Sequence, residues 1–166
     1  MDSNFNKEET QGDICSRIYI ETLELFSTLT INKNLADMHR FALSAECSES
    51  DRNDLVMGAY RTLFLFAGLA KYRMARELQD EAAGDIVANR ILNDSGIQNI
   101  VRMIRESVDV SCEEPMQVVA KEAGMLFQAA TMFDRMVRYK QVEKAFEVWR
   151  ACAKGAYSEL PMIYAR

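Results

Sequence analysis

Apolar residues recur three and four positions apart along most of the chain, and no segment alternates apolar with polar in the manner of a strand. The first stripe, Ile14, Ile18, Thr22, Leu25 and Leu29, predicts a helix with Asp13 as its N-cap. Leu35, Met38, Ala42 and Ala45 predict a second helix after the polar break TINKN, with His39 beside the stripe. The break SESDRND then offers Ser48 or Ser50 as cap of a long third helix, whose inner face reads Leu55, Ala59, Leu63, Phe66, Ala70, Met74 and Leu78. Gly58 and Gly68 would let another element approach that helix closely. Asp85 is the expected start of a short fourth helix, DIVANRIL, which the cluster NDSG ends with a turn at Asn93 to Gly96. Ile97, Ile100, Ile104 and Val108 predict a fifth.

The C-terminal third carries the longest periodic pattern. After SCEEP, either Ser111 and Glu114 form a capping box, or Glu114 caps and Pro115 takes the first helical position. Met116, Val119, Ala123, Leu126, Ala130, Phe133 and Val137 follow as one stripe, and Val142, Ala145, Trp149, Cys152 and Ala156 as another. The step from Val137 to Val142 would turn the apolar face of an unbroken helix by about 140°, which favours a turn near Tyr139. The intervening RYKQ, however, has none of the Gly, Pro, Asn or Asp that turns ordinarily use. One bent helix and a hairpin therefore both stay open. Trp149, on the apolar stripe in either case, is expected to be buried.

The segment YKQVEKAFEVWRACAKGAYSELP resembles the second half of a tetratricopeptide repeat. Ala145, Trp149 and Cys152 fall on the small, aromatic and small positions of its second helix, and AATMFDRMVR would supply the first. A companion unit at YRMARELQDEAA places Ala75 about two repeat lengths before Ala145, but Gln79 stands where an aromatic belongs and no unit lies between them. What the resemblance implies is a repeat-like C-terminal hairpin and no more.

Composition sharpens this picture. Seven glycines and two prolines in 166 residues leave few helix breakers, and 49% apolar residues can build a core without metal or disulfides. Residues 1–12, MDSNFNKEETQG, lack apolar periodicity and are expected to be a flexible polar tail. The expected fold of residues 13–166 is all-α: a single-domain irregular helical bundle of about six or seven helices. The longest apolar run, TLFLFAGLA, lies between Arg61 and Lys71 and is too short to span a membrane. The acidic start is unlike a secretory signal, so a cytoplasmic protein is expected.

The candidate chemistry is sparse. Cys15, Cys47, Cys112 and Cys152 are far apart with no C-x-x-C pair, so reduced, packed thiols are expected. A single histidine cannot supply a multi-histidine metal site, and no P-loop or G-x-S-x-G elbow occurs. The expectation is thus no enzyme, no cofactor and no metal. Of the ten methionines, Met103, Met125, Met136 and Met162 lie off the stripes, where they either fill core gaps or line an adaptable binding groove. Net charge is -5, yet residues 115–166 hold 8 basic and 5 acidic side chains. The candidate interaction surface is therefore Arg135, Arg138, Lys140, Lys144, Arg150 and Lys154, interrupted by Glu143 and Glu147. These features point to a protein-protein interaction module (adaptor, chaperone or regulatory subunit), with self-association left open. The alternative is a helical regulator that binds DNA or RNA through the C-terminal basic face, although aromatic residues are not interleaved with the basic ones in sequence.

Overall fold

A computed structural model describes residues 9–106 and 113–165. Among them the chain is all-α. Nine α-helices follow in order: α1 (Gln11–Thr28), α2 (Ile31–Ala42), α3 (Glu49–Leu78), α4 (Glu81–Leu92), α5 (Ser95–Glu106), α6 (Glu113–Lys121), α7 (Ala123–Arg138), α8 (Val142–Ala153) and α9 (Leu160–Ala165). A short 3-10 turn, Tyr157–Glu159, precedes α9. The count exceeds six or seven because the long stripe of the C-terminal third is divided at Glu122 and a last helix follows the 3-10 turn. The expected caps at Ser111, and Val108 and Cys112, lie outside the described residues, as do residues 1–8 of the expected tail.

The helix α3 is the axis of the bundle, packing against α1, α2, α4, α5, α6, α7 and α8. The sequence stripe gives it one inner face, whereas the structure buries nearly every residue from Val56 to Ala70. TLFLFAGLA is the reason: a helix apolar all round must be covered all round. Phe66 is fully buried and joins three helices, meeting Phe26 of α1 at 4.1 Å between ring centroids and Phe133 of α7 at 5.5 Å. Trp149 of α8, 3% exposed, donates its indole N–H to the Thr62 hydroxyl at 2.9 Å, and that hydroxyl donates to the Gly58 carbonyl at 2.7 Å. Gly58 also allows the close approach expected of it: a Cβ there would lie 3.1 Å from the carbonyl oxygen of Ala153.

Several helix starts differ from the sequence expectation, each for a local reason. Thr10, not Asp13, caps α1; its hydroxyl accepts from the Asp13 N–H at 3.1 Å, and the Asp13 carboxylate accepts from the Thr10 N–H at 3.2 Å. Asp13 is thus the return partner of a capping box. The helix α2 begins inside TINKN, because Thr30 adopts a left-handed conformation (φ 57°) that turns the chain at once and buries Ile31. It ends at Ala42, leaving Ala45 exposed beyond it. Asp80, not Asp85, caps α4 by accepting from the N–H groups of Ala82 and Ala83; Asp85 instead pairs with Lys71 of α3 at 2.9 Å. The turn expected over Asn93 to Gly96 is shorter, since Asp94 accepts from the Ile97 N–H at 3.1 Å and Ser95 already belongs to α5. Ser48 caps α3 as expected.

Near Tyr139 the hairpin is the alternative the structure adopts. Gln141 N–H bonds the Met136 carbonyl at 2.8 Å and Lys140 N–H that of Val137 at 3.0 Å, the paired reverse bonds of a Schellman ending. Lys140 occupies the left-handed position (φ 59°) where glycine is usual. The same pair of bonds ends α8, from Ala156 to Ala151 at 2.8 Å and from Gly155 to Cys152 at 2.9 Å, with Gly155 at φ 72°.

Candidate functional site

The six basic residues expected to form one surface are divided among different settings. Arg135, exposed on α7, lies near two rings, its guanidinium carbon 5.8 Å from the Tyr139 centroid and 5.5 Å from that of Tyr164. Tyr139 is 64% exposed and Tyr164 41% exposed. Aromatic and basic side chains are thus interleaved here in space although not in sequence: α9 brings Tyr164 to a residue on α7. Lys140 is exposed on the turn beside Tyr139, and Lys144 is half-buried one turn into α8. Arg150 and Lys154, both exposed, border a cleft of about 540 Å³ between α2, α3 and α8, whose walls include Met38, Trp149 and Asp54.

Arg138 borders the same ring, its guanidinium carbon 5.9 Å from the Tyr139 centroid, but it is also tied to a carboxylate. Its Nε donates to Asp134 Oδ2 at 2.9 Å, and Asp134 also accepts from Arg73 Nε on Oδ1 at 2.8 Å and from Arg76 Nη1 on Oδ2 at 2.9 Å. Asp134 is 1% exposed, so three guanidinium groups converge on one buried carboxylate. Only the Asp134–Arg138 pair, one helical turn apart, is visible as sequence spacing. The arrival of Arg73 and Arg76 from α3 is a product of the fold.

A second buried charge cluster joins α3 to both ends of the C-terminal hairpin. Arg61 lies next to the break between α6 and α7 and meets Glu122 through two bonds, Nε to Oε1 at 2.9 Å and Nη2 to Oε2 at 3.1 Å. Its Nη1 donates to the Ala153 carbonyl at 3.2 Å, near the C-terminus of α8. The Tyr157 hydroxyl also donates to Glu122. Gly155 completes the enclosure, because a Cβ there would stand 2.9 Å from the guanidinium carbon of Arg61. Burial opposes charge on Glu122, but hydrogen bonds from Arg61 and Tyr157 outweigh it and hold the carboxyl below the usual carboxylate range. Burial, reinforced by the bond to Glu122, pushes the Tyr157 hydroxyl above its ordinary value. The neighbouring Cys152 thiol is pushed up to about 12 by burial, an effect Arg61 only partly offsets.

The other expected features have plain positions. Cys15, Cys47 and Cys152 are free and buried. His39 is half-buried on α2. Of the methionines off the stripes, Met136 is buried at 2% exposure, whereas Met103, Met125 and Met162 are exposed. No helix among the described residues is long and apolar enough to cross a membrane. Comparison of the chain with protein-family models, with curated proteins and with solved structures found no match.

Proposed function

We propose that the chain is a non-enzymatic, cytoplasmic protein-interaction module, of adaptor, chaperone or regulatory-subunit type, that meets its partner around Arg135, Tyr139 and Tyr164. The observation that supports this is the exposed cluster in which one guanidinium lies 5.8 and 5.5 Å from two tyrosine ring centroids. Tyrosine and arginine are the side chains most enriched at binding hot spots, because each offers a large, stiff contact area with a polar tip. Val142, 48% exposed, adds apolar area at the start of α8 beside the turn. Self-association through the same face is one form of this reading.

The same cluster also favours a second reading, since rings interleaved with guanidinium groups stack on nucleic acid bases. Against it stand the net charge of -5 and the acidic residues Glu143 and Glu147 on α8. A photo-crosslinking amino acid placed at position 139 in native cells separates the two. The interaction reading expects discrete protein adducts that persist after nuclease treatment and disappear with Arg135→Ala. Adducts abolished by nuclease would replace it with the second reading, and the absence of any adduct above background would remove both.

A further inference from the structure

We propose that the cleft between α2, α3 and α8 is a binding site for a small amphiphile, a molecule with an apolar body and one acidic group of the carboxylate type. The inference does not depend on the interaction reading, because the cleft lies beside the last turns of α8, whereas Tyr139 precedes the first.

The apolar half of the argument is the lining. The cleft encloses about 540 Å³, within the range of about 300 to 1,000 Å³ that small-molecule sites occupy. Met38 of α2 and Leu55 and Met57 of α3 are half-buried, packing against the core and lining the cleft at once. Trp149 of α8 lines it too. Its one polar group, the indole N–H, is already given to Thr62, so what it offers a ligand is ring carbon. Two thioether side chains let this lining adapt to apolar bodies of different shape.

Four charged side chains also line the cleft, and they are not equivalent. Arg61 is engaged elsewhere, with Glu122 taking two of its N–H groups and the Ala153 carbonyl a third. Asp54 on α3 and Arg150 and Lys154 on α8 are exposed, and among the described residues their side chains form no ion pair or hydrogen bond. Two unpaired cations, one helical turn apart on α8, therefore stand against one unpaired carboxylate on α3. Asp54, with Asp51 one turn before it, repels an acidic group from the α3 wall. Arg150 and Lys154 also border a depression toward α9, but there Glu147 and Glu159 share the lining with them. An acidic group is thus opposed on α3 and on the α9 side, and is favoured where the two cations meet the apolar lining. Neither cation is held by a protein carboxylate, so both long side chains can close on the ligand.

The test uses three probes of one chain length that differ in head group: octanoate, octanol and octylammonium. Each is titrated into the full chain below its micellar concentration and followed by calorimetry and by the emission of Trp149, the single tryptophan. The expected result is saturable binding that changes the emission, with octanoate the tightest of the three. Arg150→Gln and Lys154→Gln should each weaken octanoate about threefold to tenfold, the range between an exposed ion pair and a charge-assisted bond, and leave octanol unchanged. Leu55→Gln should weaken octanoate and octanol alike. Asp54→Asn should tighten octanoate, a gain that no loss of folding could imitate. Octylammonium binding more tightly than octanoate would overturn the proposal. So would the absence of saturable octanoate binding, or an octanoate affinity equal in the parent and in the Asp54, Arg150 and Lys154 variants.

Discussion

Two carboxylates of the C-terminal half, Glu122 at the start of α7 and Asp134 near its end, both receive arginines from α3, and they do so in opposite ways. Glu122 meets Arg61 one to one through two parallel bonds, with a further bond from Arg61 to a carbonyl and one from a tyrosine hydroxyl to Glu122. Asp134 must serve three arginines with two oxygens. The first arrangement is closed, with 9% and 14% of the two side chains exposed. The second has a buried centre and an open periphery. A balanced, desolvated pair is a structural element, because removing either member strands a buried charge. A carboxylate ringed by excess donors is redundant toward any one of them. The same helix therefore carries a closed pair at its start and a redundant cluster about three turns later.

The largest effect expected from this contrast is at the closed cluster. Glu122→Ala should destabilise the chain by about 3 to 5 kcal/mol, since Arg61 would remain buried without its counter-charge. Trp149→Ala should cost a similar amount, about 3 to 5 kcal/mol, by opening a cavity beside Thr62. Urea unfolding measures both; a loss below about 1 kcal/mol for Glu122→Ala would mean that water reaches Arg61.

A smaller effect is expected at Gly155, where alanine would meet both a left-handed backbone and the Arg61 guanidinium at 2.9 Å. The expected cost is about 1 to 3 kcal/mol, and an unchanged melting temperature would show that Arg61 can move aside freely. Alkali should also act on this cluster. Cys152 and Tyr157 both hold their protons more tightly when folded than when unfolded. The contribution of Cys152 is therefore fully present below the ordinary thiol value and lost as pH rises from about 9 toward about 12, and that of Tyr157 is lost above the ordinary tyrosine value of about 10. Glu122 has the opposite sign: its contribution is present above the ordinary carboxylate value and is lost as pH falls through its lowered one. Melting curves across pH should fall at both ends, and Cys152→Ala should lessen the alkaline fall. The smallest effect is a gain: Lys140→Gly, at the non-glycine counterpart of Gly155, should stabilise by up to about 1 kcal/mol. A loss there would place a packing role on the Lys140 side chain.

The helices were legible from periodicity because their buried faces repeat at helical spacing, and the Ser48 cap and the burial of Trp149 follow from the same reasoning. Starts at Thr10 and Asp80 escaped it because Asp13 and Asp85 offer equally good capping chemistry a few residues later. The turn near Tyr139 was suggested by the step between the two stripes but left open against one bent helix, because Lys140, like Thr30, adopts left-handed backbone without glycine. The candidate basic surface was only partly legible. Sequence spacing places Arg138 with Lys140 and Lys144, yet its charge is engaged by Asp134, and Arg135 acquires its second ring from α9. Nothing local distinguishes Asp134 from a solvated acid; its burial depends on α3 passing alongside.

The most direct test of the closed and open clusters is a side-by-side measurement of chemical denaturation for Arg61→Gln and Arg76→Gln. Both variants remove one arginine of α3 from a carboxylate of the C-terminal half. The account predicts a loss of about 3 to 5 kcal/mol for Arg61→Gln and within about 1 kcal/mol for Arg76→Gln, whose carboxylate keeps two partners. Equal losses, or a larger one at Arg76, would contradict it.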